Sequence, residues 1–239
     1  MTASPTPPAP RQARSRATAD RLLEATFALL SESGLEGAVI PRIAERAGVS
    51  AANIYRRFAD KDALVRATIL QALHATRAVN EEALARMLVR ATLADSARRL
   101  MALLLEQYRS QPRLMRALVR FLENDTDAAF VQEARGLLRA NAELAARAML
   151  VHGDEITHPD PARGLAFAVM NAAVVIEAYM LDPHANTWLA GRPLTVAELA
   201  RELAAGFVAR LQATPVPARS KASARVKAVS SETAPARRR

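Results

Sequence analysis

Residues 39–58 read VIPRIAERAGVSAANIYRRF, and this stretch decides the fold of the N-terminal part of the chain. Two short segments with helical periodicity, 40–47 and 51–58, are separated by Gly48, a residue that accepts the positive φ of a tight corner. Ala44 supplies the small side chain that two crossing helices need. The spacing predicts a helix-turn-helix, with the second helix held by the inward side chains of Ile43, Ala47, Val49 and Ile54.

The opposite face of the second helix is predicted to point into solvent. Asparagine pairs bidentately with adenine, arginine binds guanine or phosphate, and tyrosine contacts phosphate or a thymine methyl group. Two alanines at the start of the helix let its backbone approach a DNA groove closely. Ser50 precedes the helix and is expected to cap it. The face therefore predicts a contact with double-stranded DNA through Ala51, Ala52, Asn53, Tyr55, Arg56 and Arg57.

Helical periodicity continues from residue 17 to residue 212, so the sequence predicts an all-α protein. A first helix is expected to begin at Thr18 and end at Gly34, and Asp60 is expected to cap a helix that begins at Lys61. Later helices are predicted at 79–93 (separate from the previous one or continuous with it), 94–109, 112–124, 127–151, 161–181 and 195–211.

These elements and the flanking sequences predict four regions. Residues 1–16 and 213–239 are rich in Pro, Ser, Thr and Ala and are basic, which is typical of disordered arms. Between them, residues 17–78 are expected to form the small domain with the helix-turn-helix, and residues 79–212 a larger helical domain.

The composition excludes several classes of protein. The chain has no cysteine, so it has no disulfide or thiolate metal site, and its four histidines are scattered. No stretch approaches the roughly 18 unbroken apolar residues of a membrane span, and the Pro-rich start carries no signal peptide. A cytoplasmic protein without membrane contact is expected.

The net charge of +9 lies in the two ends of the chain. Residues 1–19 carry +3, residues 213–239 carry +6, and the body between them is neutral. Basic ends attract polyanions, of which nucleic acid is the commonest in a cytoplasm, or they simply keep the protein soluble.

The N-terminal region resembles the DNA-binding domain of the tetracycline-repressor (TetR) family of transcriptional regulators. The matching pieces are ATFALLSESG (25–34), IAERAGVS (43–50), IYRRF (54–58) and KDAL (61–64). The resemblance implies that Ser50 caps the recognition helix and contacts phosphate, that Tyr55 contacts phosphate, and that Lys61 meets the DNA backbone.

Two positions depart from the family's pattern. Val39 replaces a threonine that often caps the second helix, and Pro41 stands where some relatives place an arginine that reads bases. Arg42 is therefore expected to take over a phosphate contact. Operator specificity would rest on Asn53 and Arg56, together with Arg57, which stands where many members have histidine.

In the family, the second domain forms a ligand pocket and a dimer interface. The segment 165–181, LAFAVMNAAVVIEAYML, is apolar nearly all round, so it is expected to be buried on more than one side. We therefore expect a homodimer through helices 161–181 and 195–211, the latter with a stripe of Leu199, Leu203, Ala204 and Phe207, that reads a palindromic operator.

A small, mostly apolar effector is expected to bind the second domain and release a repressor from DNA. Repression is the commoner outcome in the family, and nothing in these residues excludes activation. Asn171 and Glu177 stand out because polar groups in an apolar helix need partners. The candidate effector contacts are Tyr108, Met115, Phe121, Phe167, Met170 and Asn171.

Two other functions compete with regulation. A nonspecific nucleic-acid-binding protein would account for the basic ends. A metal-dependent helical-bundle enzyme or sensor is suggested by Glu155-x-x-His158, with His152, Asp154 and Asp160 nearby. That motif runs into Pro159 and lacks a second copy, so no catalytic residue, cofactor or metal ligand is assigned and the chain is interpreted as a non-enzyme.

Overall fold

The structure, a computed structural model, describes residues 11–87, 91–182 and 192–213. These residues form nine α-helices and one 3-10 helix, and no strand is found among them, which confirms the all-α prediction. The elements are α1 (Arg11–Gly37), α2 (Ile40–Ala47), α3 (Ala51–Tyr55), α4 (Lys61–Met87), α5 (Leu93–Ser110), α6 (Pro112–Asn124), α7 (Ala128–Met149), the 3-10 helix (Leu150–Glu155), α8 (Pro161–Leu181) and α9 (Val196–Gln212).

The start of α1 differs from the prediction. The helix begins at Arg11, so the last six residues of the expected disordered arm are helical. Arg, Gln and Ala dominate these residues and favour helix, and no Gly or Pro interrupts them. The break at Gly34 is present, with φ 69° and ψ −166°, although a further short turn follows it. The rest of the arm and residues 214–239 of the tail lie outside the described residues.

Helix α4 runs unbroken from Lys61 to Met87 and crosses the expected domain boundary at residue 78. The Asp60 carboxylate accepts a hydrogen bond from the Ala63 N–H at 2.7 Å and so caps this helix as predicted. A continuous helix of 27 residues links the helix-turn-helix to the larger domain. Any tilt of its C-terminal half therefore moves its N-terminal half as well.

Two of the predicted helices are shorter than expected. Helix α3 ends at Tyr55 and not at residue 58, because Arg57 N–H and Phe58 N–H both bond the Ile54 carbonyl and tighten the last turn. Helix α7 ends at Met149, where the chain continues as a 3-10 helix with a non-helical backbone at His152 (φ −92°, ψ 26°).

The core is divided into two main clusters, with a small satellite around Ile176. One cluster contains buried residues of α1, α2, α3, α4, α6 and the start of α7. The other contains buried residues of α5, the end of α7, α8 and α9. Helix α6 packs along α1, so it belongs to the N-terminal cluster although its residues fall in the expected larger domain, 79–212. The α9 stripe that was expected at a dimer interface (Leu199, Ala204 and Phe207) is buried within the subunit's own core.

Helix α8 is long and apolar enough to cross a membrane, judged by length and composition alone, with a mean hydropathy of 1.8. This corrects the expectation that no segment approaches such a span. In the structure α8 packs against α5, α6, α7 and α9. Part of its apolar surface stays uncovered, because Phe167, Met170 and Val174 are 47%, 51% and 61% exposed.

An ion pair joins α4 to the connection between α6 and α7. The Arg66 guanidinium donates to the Asp125 carboxylate at 2.8 Å, and the Asp125 side chain is only 2% exposed. Burial opposes the ionisation of Asp125 and by itself would raise its pKa. The carboxylate accepts hydrogen bonds from Arg66 and the Asp127 N–H and is attracted by the charge of Arg66. These contacts outweigh burial, so the pKa of Asp125 lies below its ordinary value. The pair therefore stabilises the folded state when Asp125 is ionised.

Replacing Arg66 with Met should lower the free energy of unfolding by about 1–3 kcal/mol at pH 7, because a nearly buried carboxylate loses its cation. The pKa of Asp125 is lowered in the folded protein, so this contribution is full above about pH 4 and disappears as the pH falls through the folded value. The free energy of unfolding is measured with urea at fixed protein concentration. The difference in this free energy between variant and wild type should become smaller as the pH is lowered from 7 to 2.

Arg77→Met is the matched control, because Arg77 pairs with Glu81 on the surface and both side chains are about half exposed. It should change the free energy of unfolding by less than about 0.5 kcal/mol. An Arg66→Met effect equal to that of the control, or one independent of pH, would show that the buried pair contributes nothing.

Candidate nucleic-acid interface

Gly48 makes the corner between α2 and α3. Its backbone is left-handed, with φ 64° and ψ 41°, and its N–H bonds the Glu45 carbonyl at 3.1 Å. The Val49 N–H bonds the Ala44 carbonyl at 3.0 Å, which completes the end of α2. A β-carbon at position 48 would meet nothing within 4 Å. The backbone conformation, and not the lack of space, is therefore what requires glycine here.

The inward residues predicted for the motif are inward in the structure. Ile43 and Ile54 are completely buried, and Ala44 and Ala47 are 6% and 5% exposed. Val49 is partly buried against the same cluster. Helix α3 is only five residues long and is held against the domain through the single fully buried side chain of Ile54.

The outward face of α3 is exposed as predicted. Ala51, Ala52 and Arg56 are exposed, and the Tyr55 side chain is 56% exposed. Asn53 is half-buried, and its Oδ1 accepts a hydrogen bond from the Arg56 guanidinium. The side chains of Asn53 and Arg56 thus form one pair on the protein surface, with the amide nitrogen of Asn53 still available as a donor.

Ser50 lies at the N-cap position of α3, but its side chain makes no capping hydrogen bond. The expected capping role is therefore wrong for this structure, and the extended backbone at Ser50 (φ −78°, ψ 153°) starts the helix instead. The Ser50 carbonyl accepts from the Asn53 N–H at 2.9 Å. Its hydroxyl lies on the exposed surface beside the start of α3.

Arg57 is directed toward α1 and not along the outward face of α3. Its guanidinium donates to the Ser15 hydroxyl at 2.8 Å, and its Nε is buried without a hydrogen-bond partner. Arg57 therefore links the recognition helix to the first turns of α1. This placement favours a positioning role over the base contact that the sequence suggested.

An open cleft of about 1060 Å³ separates the first turns of α1 from the helix-turn-helix. Besides Arg56 and Arg57, it is lined by Arg14 and Arg21 of α1, with Glu45 as the single acidic residue. The four arginines make the cleft suited to an anion such as a phosphate backbone. Arg14 and Arg21 were not predicted as interface residues. The signal that could have identified them is the spacing of Arg14, Thr18 and Arg21 at i, i+4 and i+7, which places them on one face of a helix.

The remaining predicted DNA contacts lie at the edges of the motif. The Arg42 guanidinium is exposed and donates to the Gly37 carbonyl at 3.1 Å. Lys61 donates from Nζ to the Leu35 carbonyl at 3.3 Å, so both side chains hold the C-terminal end of α1 in this structure.

A second cavity, of about 580 Å³, is lined by residues of α1, α4, α5, α6, α7 and α8. Of the six predicted effector contacts, only Tyr108 and Met115 line it, and Glu177 lines it as well. Phe121 instead packs edge-on against Phe130 in the N-terminal cluster, with ring centroids 5.8 Å apart. The other three do not line the cavity, because they lie on the exposed face of α8: Phe167, Met170 and Asn171.

Tyr108 and Glu177 form the main polar contact of this cavity. The Tyr108 hydroxyl donates to the Glu177 carboxylate at 3.3 Å. Burial, and then the charge and hydrogen bond of Glu177, raise the pKa of the Tyr108 phenol, which therefore stays protonated and acts as a donor.

The residues proposed for a metal site have other contacts. His152 is buried, with Nε2 2.8 Å from the Ser96 hydroxyl and Nδ1 3.5 Å from the Glu155 carboxylate. Glu155 also accepts from the Leu93 N–H at 2.9 Å. Within residues 11–87, 91–182 and 192–213, no group of three His, Asp or Glu could hold a metal ion. Ser96 is completely buried, so the Ser-His-Glu contact joins α5 to the 3-10 helix and is closed to substrates.

Comparison with known proteins agrees with this geometry. Residues 22–68 match the family model for bacterial regulatory proteins of the tetR family, which confirms the resemblance predicted from the sequence. No curated protein matches the chain in sequence.

Solved structures share the fold over most of the chain. The transcriptional regulator FadR from Bacillus subtilis, in complex with stearoyl-CoA, is 14% identical with a TM-score of 0.59, covering 80% of this chain and 98% of that one. A tetR-family regulator from Streptomyces coelicolor is 22% identical with a TM-score of 0.56, covering 82% and 80%. A transcriptional regulator from Rhodococcus sp. Rha1 is 19% identical with a TM-score of 0.54, covering 82% and 99%. At these identities, the likenesses establish the fold.

Replacing Ile54 with Ala should release α3 from the domain, because the cavity left at a fully buried isoleucine costs about 2–5 kcal/mol. Amide hydrogen exchange should show lost protection across residues 50–58. Ile54→Val, which removes one methylene group, should cost only about 0.5–1.5 kcal/mol. Unchanged protection in Ile54→Ala would mean that other contacts hold the recognition helix.

Proposed function

We propose that this chain, with its TetR-type N-terminal domain, is a sequence-specific DNA-binding regulator, acting in the cytoplasm as a repressor that a small effector releases from a palindromic operator. The DNA-binding role is supported above all by the geometry of α3. One buried anchor, Ile54, fixes the helix, while Asn53, Tyr55 and Arg56 face outward beside a cleft with four arginines.

Base readout is assigned to Asn53 and Arg56. An asparagine oxygen has two lone pairs, so Asn53 Oδ1 can keep its bond from Arg56 and accept from an adenine amino group as well. Phosphate contacts are assigned to Arg14 and Arg21 in the cleft, and to the hydroxyls of Ser50 and Tyr55. Ala51 and Ala52 allow the helix to approach the groove, while Arg42 and Lys61 lie at the edges of the footprint.

A homodimer follows from the uncovered apolar face of α8. Phe167, Met170 and Val174 recur at i, i+3 and i+7 on that face, and the Arg210 guanidinium of α9 lies 4.9 Å from the centre of the Phe167 ring. A second copy related by a two-fold axis would cover this surface. It would also present two recognition helices about 34 Å apart, the spacing of successive major grooves on one side of DNA.

Effector control is assigned to the interdomain cavity. Phe27 and Leu30 of α1 and Ile69 and Leu73 of α4 line it together with residues of the larger domain. A ligand that fits only when α4 tilts would move the helix-turn-helix and misalign one half-site. The FadR relative was solved with stearoyl-CoA, a ligand with a long apolar chain, which is consistent with an apolar effector here.

The Asn53→Ala variant should lose about 1–3 kcal/mol of discrimination at one base pair in each half-site of the best-bound duplex. Fluorescence anisotropy with duplexes changed at single positions measures this loss. Asn124→Ala, which removes an exposed asparagine at the end of α6, is the control and should bind as wild type. Arg21→Ala, in contrast, should weaken binding to all duplexes equally and lower the salt slope by about one.

A protein that binds all duplexes alike would overturn the regulatory proposal in favour of a nonspecific nucleic-acid-binding protein. A specific regulator should prefer its own site by about 10³-fold or more at moderate salt.

The Val174→Glu variant should dissociate the dimer, because the two-fold axis buries two uncompensated carboxylates in an apolar interface. Sedimentation should show a wild-type dimer at micromolar concentration and a dissociation constant raised by roughly 100-fold or more in the variant. Val151→Glu, at a position 68% exposed outside α8, should stay dimeric. A wild-type monomer at this concentration would contradict the α8 interface.

A further inference from the structure

Two of the polar residues that line the interdomain cavity carry acceptors with few or no hydrogen-bond partners. The Glu177 carboxylate lines it from α8, and within the described part of the chain its one polar partner is the Tyr108 hydroxyl. Asn141 lines it from α7, where its Nδ2 donates to the Leu137 carbonyl at 3.2 Å, while its Oδ1 is buried with no partner. A buried acceptor without a donor is destabilising unless a ligand or water supplies one.

Three other polar side chains in the cavity donate to partners within the protein. Thr68 and Thr76 donate to the carbonyls of Leu64 and Ala72, at 2.8 Å each. Gln107 donates to Asn80 Oδ1 at 3.1 Å. The carboxylate of Glu177 is therefore the main acceptor that a ligand in the cavity can reach, because the Asn141 Oδ1 is covered by protein.

The remaining charged residues of the cavity are more exposed than Glu177. Arg135 and Glu123 are exposed to solvent, whereas Glu177 is half-buried. Exposed charges are screened by water and salt, and a half-buried carboxylate beside an apolar wall interacts more strongly with a ligand. Glu177 therefore dominates the electrostatic preference of the site, although Arg135 lies at its edge.

The wall around these acceptors is apolar and belongs to both domains. It includes Leu73, Leu114, Met115, Leu118 and Leu122. A volume of about 580 Å³ is within the range of small-molecule sites. It accommodates an apolar body of about ten carbon atoms with a polar end group.

We propose that the cavity takes a cationic amphiphile, an apolar body that carries a protonated amine, with the amine bound by the carboxylate of Glu177. This inference rests on the proposed effector role of the cavity and adds the chemical class of the effector. Tyr108 is assigned as a positioning residue, because its hydroxyl orients the carboxylate.

Three probes with the same apolar chain test the inference: decylammonium, decanol and decanoate. Isothermal titration calorimetry on the full-length protein at pH 7, below the micelle concentration of each probe, should give one decylammonium per subunit. Decylammonium should bind at least 10-fold more tightly than either of the other two. Equal or tighter binding of decanoate or decanol would overturn the cationic class and leave the cavity as an effector site.

Three variants locate the binding. Glu177→Gln keeps the shape of the side chain and should abolish the preference for decylammonium over decanol, while Glu123→Gln, at the exposed edge, should keep it. Ala72→Phe fills the cavity and should abolish binding of all three probes. Thermal unfolding without probe checks that each variant is folded, and the comparison of probes on the wild-type protein stands without any variant.

The outcomes separate this inference from the proposed function. No binding of any probe up to its solubility limit, or binding that persists in Ala72→Phe, would contradict the cavity as the ligand site and this inference with it. A cationic preference that Glu177→Gln leaves intact would overturn the assignment of Glu177. DNA binding by the protein without ligand is measured separately, so a failure of the DNA-binding proposal does not affect these results.

Discussion

The contact that the proposed interface depends on is the burial of Ile54 beneath a five-residue helix. A helix this short is unstable by itself, because nucleation fixes several residues for few hydrogen bonds. Its position is set from outside, by the left-handed corner at Gly48 on one side and by the completely buried Ile54 side chain beneath it. Because the corner and the buried Ile54 side chain fix the helix, the side chains of Asn53 and Arg56 lie on the face directed away from the core.

The proposed coupling between effector and DNA rests on three features of α4. The helix is continuous from Lys61 to Met87, its Arg66 is held by the buried Asp125 between α6 and α7, and its middle lines the interdomain cavity. Helix α6 packs along α1 and gives a second route between the two domains. A ligand in the cavity would therefore contact α1, which lines the arginine cleft, and α4, which follows the helix-turn-helix.

Much of the fold and of the helix-turn-helix could be predicted from the sequence because local signals were strong. Glycine at the corner, prolines at helix starts and the periodicity of 43, 47 and 54 are properties of single residues and spacings, and helices 40–47, 112–124 and 161–181 have the predicted bounds. The start of α1 was predicted too late because no capping residue marks it. Arg57 was assigned to the outward face because its contact with Ser15 joins residues 42 positions apart.

The effector residues were harder to predict for a physical reason. Helix α8 is apolar on nearly every side, so its periodicity does not distinguish the face that packs on α5 and α9 from the face left open. Phe167, Met170 and Asn171 were assigned to a pocket and lie on the open face, whereas Glu177 lines the cavity. Only the packing of several helices together shows which polar atoms in the cavity remain without a partner.

Selection of bound duplexes from a random pool, with the purified protein and no added small molecule, measures whether α3 reads a defined sequence. We expect enrichment of an inverted repeat whose half-sites are centred about one helical turn apart. Recovery of duplexes with no common sequence at moderate salt would contradict it.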